Sequence, residues 1–217
     1  MIKINNRRYM WSKYKVLDFI HDVIKKENIE FSSFCDIFWG TWIVADFFND
    51  KKTKIVINDL LYSNYISYIA RFWNESYDKK KITNLIDSYN NLEKMDENYF
   101  SLNFSDTYFS KINCKKIWFI REGIEQKYIL WELNQRERAI LITSLLYSMD
   151  KIANTVWHYD AYRMNGDLEK DLVLKPLDLK PNTINRNNKI FNENANNLAR
   201  LIKVDVVYID PPYNSRQ

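Results

Sequence analysis

Residues 34–48 read FCDIFWGTWIVADFF. An apolar run reaches Asp36, a glycine follows at Gly40, and helix-spaced apolar residues begin just after it. This is the pattern of a strand that passes through a tight turn into a helix. Downstream, KTKIVIND (52–59) is charged at its start and apolar at its centre, which predicts a second strand. LLYSNYISYIARFW (60–73) then predicts a second helix. Upstream, SKYKVLDFIHDVIKKEN (12–28) places Val16, Leu17, Ile20, Val23 and Ile24 on one helical face. Its lysines gather near the end, where the helix dipole favours them. Strand, helix, strand, helix with short joints is the βαβ arrangement, so the expected class is α/β with a mostly parallel, Rossmann-like sheet.

From about residue 74 to 190 the character changes. Helical segments around 79–93, 117–129 and 134–149 are joined by polar stretches such as MDENYFSLNFSDTYFS (95–110). DLVLKPLDLKP (171–181) and NTINRNNK (182–189) are broken by proline and asparagine and read as hairpin and loop. NENANNLARLIK (192–203) resumes helix, and VDVVYI (204–209) is an apolar, β-branched run of the kind buried in the middle of parallel sheets. The expected organisation is residues 1–73 as the first part of an α/β domain, 74–190 as a mainly helical insert, and 191–217 as the return to the α/β domain.

Hydrophobic residues make up 46% of the 217 and charged residues 28%, enough for a packed core. The net charge of +4 is mildly basic and compatible with nucleic acid. Two cysteines, Cys35 and Cys114, make no disulfide framework, and no Cys/His set suggests a metal. No apolar signal core or membrane-length run is present, so a soluble, cytoplasmic protein without a membrane partner is expected.

The last strand runs directly into Asp210-Pro211-Pro212-Tyr213. Two prolines cannot continue a β-ladder, so the motif caps a strand. At the carboxyl end of a parallel strand it also stands where open α/β sheets bind ligands. The prolines stiffen the backbone and leave a carbonyl without a ladder partner, beside a carboxylate and an aromatic ring. An exocyclic amine on a base is a poor nucleophile, because its lone pair is delocalised into the ring. Two acceptors on its two hydrogens favour a more tetrahedral nitrogen. The Asp210 carboxylate and the Pro211 carbonyl can be those acceptors, and Tyr213 can stack on a base drawn out of a helix. Such a site works by positioning and electrostatics.

DPPYNSRQ after an apolar strand resembles the catalytic motif (motif IV) of adenine-specific DNA methyltransferases that make N6-methyladenine. The likeness extends over nearly the whole chain. NRRYMWSKYKVLDFI is similar to the amino-terminal cofactor motif of the Dam-like class, with Tyr9 and Lys13 at the matching aromatic and lysine. FCDIFWGTW is similar to motif I, written D-x-F-x-G-x-G, and NDLL matches the acidic motif after the second strand. The resemblance implies S-adenosyl-L-methionine as methyl donor, held by Tyr9, Lys13, Asp36, Phe38, Gly40, Asp59 and Asp210. Asp59 would accept the ribose hydroxyls; as an alternative it is a helix N-cap before LLYSNY. Asp210, Pro211, Pro212 and Tyr213 would form the catalytic motif. The resemblance further implies a target-recognition role for the insert, duplex DNA with a flipped adenine as substrate, and a restriction–modification system with a cognate restriction endonuclease. Members of the family carry further strands and helices beyond this motif, so an amino-terminal fragment of a longer enzyme is expected, with VDVVYI left as an exposed sheet edge.

The chain departs from the family in one direction. Tryptophan stands at Trp11, Trp42, Trp118 and Trp157, where the pattern has glycine, and Trp39 adds a further indole inside motif I. The chain has 3 glycines and 7 tryptophans, against roughly 15 glycines at average usage. Three readings stand side by side: a cofactor site blocked by indoles, a site that uses them as stacking surfaces, and glycine codons rendered as tryptophan. The one-way direction favours the third.

His158-Tyr159-Asp160 has no nucleophile to pair with and reads as structural or DNA-facing. KDLVLKPLDLK and NTINRNNK mix lysine, arginine and asparagine, which suit phosphates and base edges, or an ordinary polar loop. Two other functions remain open: an RNA or protein-amide methyltransferase, because related motifs serve planar amines generally, and a non-catalytic DNA-binding relic.

Overall fold

The computed structural model describes residues 16–38, 43–156, 159, 161–164, 166–181, 184 and 187–211. Tyr9, Trp11, Lys13, Trp39, Gly40, Trp42, Trp157, His158, Asp160, Pro212 and Tyr213 lie outside the described residues. In chain order the elements are α1 Leu17–Lys26, β1 Ser33–Asp36, α2 Ile43–Phe48, β2 Lys54–Asn58, α3 Tyr62–Phe72, α4 Lys79–Asn90, α5 Tyr99–Asn103, α6 Lys111–Ile129, α7 Gln135–Ile152, β3 Lys189–Phe191, α8 Ala195–Leu198 and β4 Val206–Tyr208. They divide into two compact units. One comprises described residues of Trp11–Ser76 and Leu179–Gln217, and the other is built on Tyr77–Asp178.

The first unit holds a four-stranded sheet in the order β3-β2-β1-β4, with every pair parallel. The apolar runs read from the sequence form its two central strands. Phe34 and Cys35 of β1 and Ile55, Val56 and Ile57 of β2 are all buried. Phe34 stacks on Phe48 of α2 with ring centroids 4.5 Å apart, a contact contributing about 1 kcal/mol beyond area burial. Asn188 ties the far side of this unit together. Its Oδ1 accepts from Ile55 N at 3.0 Å and its Nδ2 donates to Asn49 Oδ1 at 3.2 Å. This member of NTINRNNK is thus occupied inside the fold.

VDVVYI reads as a central strand by composition and as an exposed edge in a fragment; among the described strands β4 is an edge, paired only with β1. Val207 is 42% exposed and Ile209 65%. An apolar β-branched run encodes strand propensity, not its place in the sheet. The helix expected over 192–203 reduces to α8, a single turn started by Asn194, whose side chain accepts from Asn196 N.

The second unit is helical. α6 packs on α5 and α7, and α7 packs on α4. Side-chain caps set several helix starts: Asp78 for α4, Ser110 for α6, and reciprocal capping boxes Asn98/Ser101 for α5 and Asn134/Glu137 for α7. Glu137 is almost fully buried and also meets Lys81 Nζ at 2.6 Å. Burial pushes its carboxyl up, but Lys81 and the backbone N–H groups of Asp78 and Asn134 outweigh this and bring it below the usual range. Arg138 grips Glu125 with two guanidinium nitrogens.

The hairpin expected in this region is absent from residues 171–181, which form no ladder, and of the following stretch Lys189 opens β3. An extended segment instead bonds to asparagine side chains. Leu172 N donates to Asn113 Oδ1 at 3.0 Å and Leu174 N to Asn90 Oδ1 at 2.8 Å. The two amides donate back to Lys170 O and Leu174 O. Each asparagine presents a donor and an acceptor as a neighbouring strand would, so Leu172 and Leu174 bury without a β partner.

Candidate active site

The carboxyl edge of the sheet gathers the acidic residues singled out in the sequence. Asp36 ends β1 and is 2% exposed. In the register it faces Ile57 of β2 and Tyr208 of β4. Asp59 follows Ile57 by two residues, and Asp210 follows Tyr208 by two. Three carboxylates therefore leave three adjacent strands at one edge, where parallel sheets place ligands. Ile37 N donates to Tyr208 O at 3.4 Å, which carries the β1–β4 pairing to the brink of the Asp210-Pro211 step. Asp210 is half-buried and Pro211 exposed.

Asp59 is held from several sides. Its Oδ1 accepts from Leu61 N at 2.8 Å, and its Oδ2 accepts from Asn64 Nδ2 at 2.8 Å and from Tyr68 Oη at 3.0 Å. Its backbone is fixed as well, because Asp59 N donates to Phe191 O at 3.4 Å and Asn192 Nδ2 donates to Asp59 O at 2.7 Å. The N-cap of α3 is Leu61 rather than Asp59. The carboxylate makes a local turn onto the N–H two residues on. The neighbouring Asn58, 1% exposed, knits the same edge: Nδ2 donates to Ile37 O and Glu193 O, and Oδ1 accepts from Glu193 N. Asn58, Asn64, Tyr68 and Asn192 were not read from the sequence as site residues. The available signal was the spacing of Asn64 and Tyr68, four residues apart and so on one face of α3.

Phe38 packs against the apolar cluster of Cys35, Ile37, Val56 and Leu198. Cys35 is fully buried, and burial, followed by the charge of Asp36, pushes its thiol up to about 12. In the helical unit, Asn154, Thr155, Arg163, Gly166, Asp167 and Lys170 line a concavity of about 290 Å³. Tyr159, from the His-Tyr-Asp triplet, donates to Asp150 Oδ1 and its carbonyl accepts from Tyr108 Oη. Among the described residues, no His/Cys/Asp/Glu group could hold a metal ion, and no helix is long and apolar enough to cross a membrane.

A parallel α/β sheet with a mainly helical second unit, and with carboxylates at the carboxyl ends of its strands, is the fold of an S-adenosylmethionine-dependent methyltransferase. Residues 9–217 match the D12 class N6 adenine-specific DNA methyltransferases, and the chain belongs to that family. It is 31% identical over 227 residues to Modification methylase LlaI of Lactococcus lactis subsp. lactis, covering 97% of this chain and 36% of that protein. It is 35% identical to Modification methylase StsI of Streptococcus sanguinis, over 97% of this chain and 34% of that protein. Type II methyltransferase M.CviAII of Paramecium bursaria Chlorella virus 1 is 32% identical, over 99% of this chain and 66% of that protein. The chain thus spans about a third of the length of the first two relatives.

Proposed function

We propose that this chain provides the cofactor edge, the catalytic motif and a recognition insert of an enzyme that transfers a methyl group from S-adenosyl-L-methionine to N6 of adenine in a specific duplex DNA sequence, within a restriction–modification system. The observation that carries the reading is the placing of Asp210-Pro211 at the carboxyl end of β4, beside the end of β1 at Asp36. Family membership and the modification methylases among the relatives support it.

The donor set fits the methyl donor. Asp36 and Asp59 offer carboxylates to a ligand that carries an ammonium group and ribose hydroxyls, and both stand at the sheet edge. When bound, that ligand supplies a methyl group on a positively charged sulfur. Asp59 accepts from the ribose and Asp36 anchors the methionine end through the turn that follows it. The Asp210 carboxylate and the Pro211 carbonyl accept the two N6 hydrogens of the target adenine and orient its lone pair toward the methyl carbon. Tyr213 stacks on the flipped base. The insert reads the sequence around the target, and a cognate endonuclease is the partner in the system.

The test is methyl transfer from labelled donor to duplex DNA, RNA and protein, followed by nucleoside analysis of the product. Label recovered as N6-methyladenine in DNA is the expected result. Label in RNA or protein alone would replace the substrate class. Salt-dependent DNA binding without any transfer or donor binding would leave a binding relic.

A further inference from the structure

Tyr68 is an almost fully buried tyrosine, 1% exposed, whose hydroxyl points at a carboxylate on the sheet edge rather than into the core. Asn64, one helical turn earlier and 8% exposed, points at the same oxygen. We propose that Tyr68, assisted by Asn64, is a positioning residue that fixes the Asp59 carboxylate for recognition of the donor's ribose. The inference rests on the cofactor reading above and deepens it.

The geometry gives the reason. A lone aspartate just past a strand has two free side-chain torsions, and binding a ribose would have to order them. Here Oδ2 accepts from Asn64 at 2.8 Å and from Tyr68 at 3.0 Å, while Oδ1 accepts from Leu61 N at 2.8 Å. Among the described residues, these donors on both oxygens define the carboxylate plane. Two of them come from α3, and the third opens that helix. The backbone of Asp59 is locked to β3 and its following loop through Phe191 and Asn192. A ribose hydroxyl joins a network already in place, so little ordering remains to oppose binding. Hydrogen bonds from a phenol and an amide to an ionised carboxylate are of the stronger, charge-assisted kind, which suits them to hold one rotamer. Tyr68→Phe removes one donor and keeps the ring in its packing.

A purely structural Tyr68, stapling the start of α3 to the sheet, would give the same contacts. The two roles part on which ligand feels the change. S-adenosyl-L-homocysteine and its 2′,3′-dideoxyribose counterpart are titrated by calorimetry against the parent, Tyr68→Phe, Asp59→Asn and the double variant. The series is run in the chain as it stands and in the chain also carrying Trp11→Gly, Trp39→Gly and Trp42→Gly, with melting curves to establish folding. Tyr68→Phe is expected to weaken S-adenosyl-L-homocysteine about tenfold, the size of one charge-assisted hydrogen bond, and to leave the dideoxy ligand unchanged. The double variant is expected to lose no more than Asp59→Asn alone. Equal weakening of both ligands, or none, overturns the positioning role. If Asp59→Asn itself leaves affinity unchanged, or if neither background binds, the ribose reading falls first and the role of Tyr68 falls with it.

Discussion

Asp205 lies 172 residues from Ser33 in sequence, yet its Oδ2 accepts from Ser33 N at 2.9 Å and from Ser33 Oγ at 2.8 Å. Asp205 N returns a 2.9 Å bond to Ser33 Oγ. Ser32 adds two further donors to the same carboxylate oxygen, its N at 2.8 Å and its Oγ at 3.0 Å. This knot closes the amino end of the β1–β4 pair and so sets the register that carries Asp210 to the opposite edge. The carboxyl of Asp205 is held below its ordinary 3.8, at about 2, chiefly by Ser32 N–H and then by the Ser33 and Ser32 hydroxyls. A folded-state pKa below the unfolded value means the stabilisation is complete above the unfolded pKa. It is lost as pH falls through about 4 toward about 2. Asp205→Asn is expected to lower the melting midpoint near neutral pH and to flatten its decline across that acid window. Melting curves taken as a function of pH decide this; a variant whose acid limb matches the parent's would remove Asp205 from the account.

Gly166 sits against Asn154, and a Cβ built on it would overlap Asn154 Oδ1. Asn154 cannot yield freely, since its Nδ2 donates to Thr107 O and to Arg163 O, each at 2.9 Å. Gly166→Ala is therefore expected to destabilise the protein by about 2 kcal/mol, from overpacking plus disturbed buried hydrogen bonds. Adding Asn154→Ala should recover part of the overpacking loss, giving non-additive effects in denaturant titration. Strict additivity would show that the two residues do not press on one another.

Both cysteines are buried, and burial is the main cause that raises their thiols, Cys35 to about 12 and Cys114 to about 11. The reactive thiolate is therefore almost absent near neutral pH. Native protein is expected to resist maleimide labelling that is complete in denaturant, counted by mass spectrometry. Rapid labelling of Cys35 in native protein would mean that β1 opens.

Asp210→Ala, in an enzyme that methylates DNA, is expected to cut the transfer rate on the order of 10²–10³-fold with little change in donor affinity, because its proposed partner is the adenine amine. Asp59→Ala is expected to weaken donor binding first. Single-turnover rates and calorimetry on the same preparations separate the two; an Asp210→Ala enzyme that keeps a tenth of the rate would take Asp210 out of the chemistry.

What the sequence reveals and what it hides follow physical lines. Ile55-Val56-Ile57 and Phe34-Cys35 are buried, and their apolar runs announce strands directly, although not their place in the sheet. Asp36, Asp59 and Asp210 can be placed because each lies at or just beyond the end of an apolar strand run, whether buried or at the edge. α5 is obscured by the polar stretch around it, although Asn98 and Ser101 carry a capping box. Leu172-Val173-Leu174 looks like a strand because it is extended and alternates. Its partners are Asn90 and Asn113, on two helices distant in sequence, and no local pattern reveals them. Tyr68 and Asn64 share a helix face in any reading, but whether that face meets Asp59 depends on how α3 is rotated against the end of β2, which periodicity does not fix.

Backbone angle is the most concealed property, and Trp131 shows its consequence. α6 ends at Ile129 with Leu130 as its cap, and Trp131 then adopts φ 60° while its N–H donates to Tyr128 O at 3.1 Å. That left-handed position after a helix is the one glycine commonly fills. The indole is 92% exposed, so it gains almost no burial in return. Trp131→Gly is expected to raise stability by about 1 kcal/mol, the strain removed less the added freedom of the unfolded chain. Trp73 supplies the control: it caps α3 at φ −71° and ψ 143°, ordinary extended backbone, and is half-buried. Trp73→Gly is expected to lower stability. Opposite signs in thermal unfolding would mark Trp131 as standing at a glycine position and Trp73 as native to its place, which bears on the surplus of tryptophan over glycine in the whole chain. A Trp131→Gly variant that melts earlier than the parent would show that the indole is a fitted part of this turn.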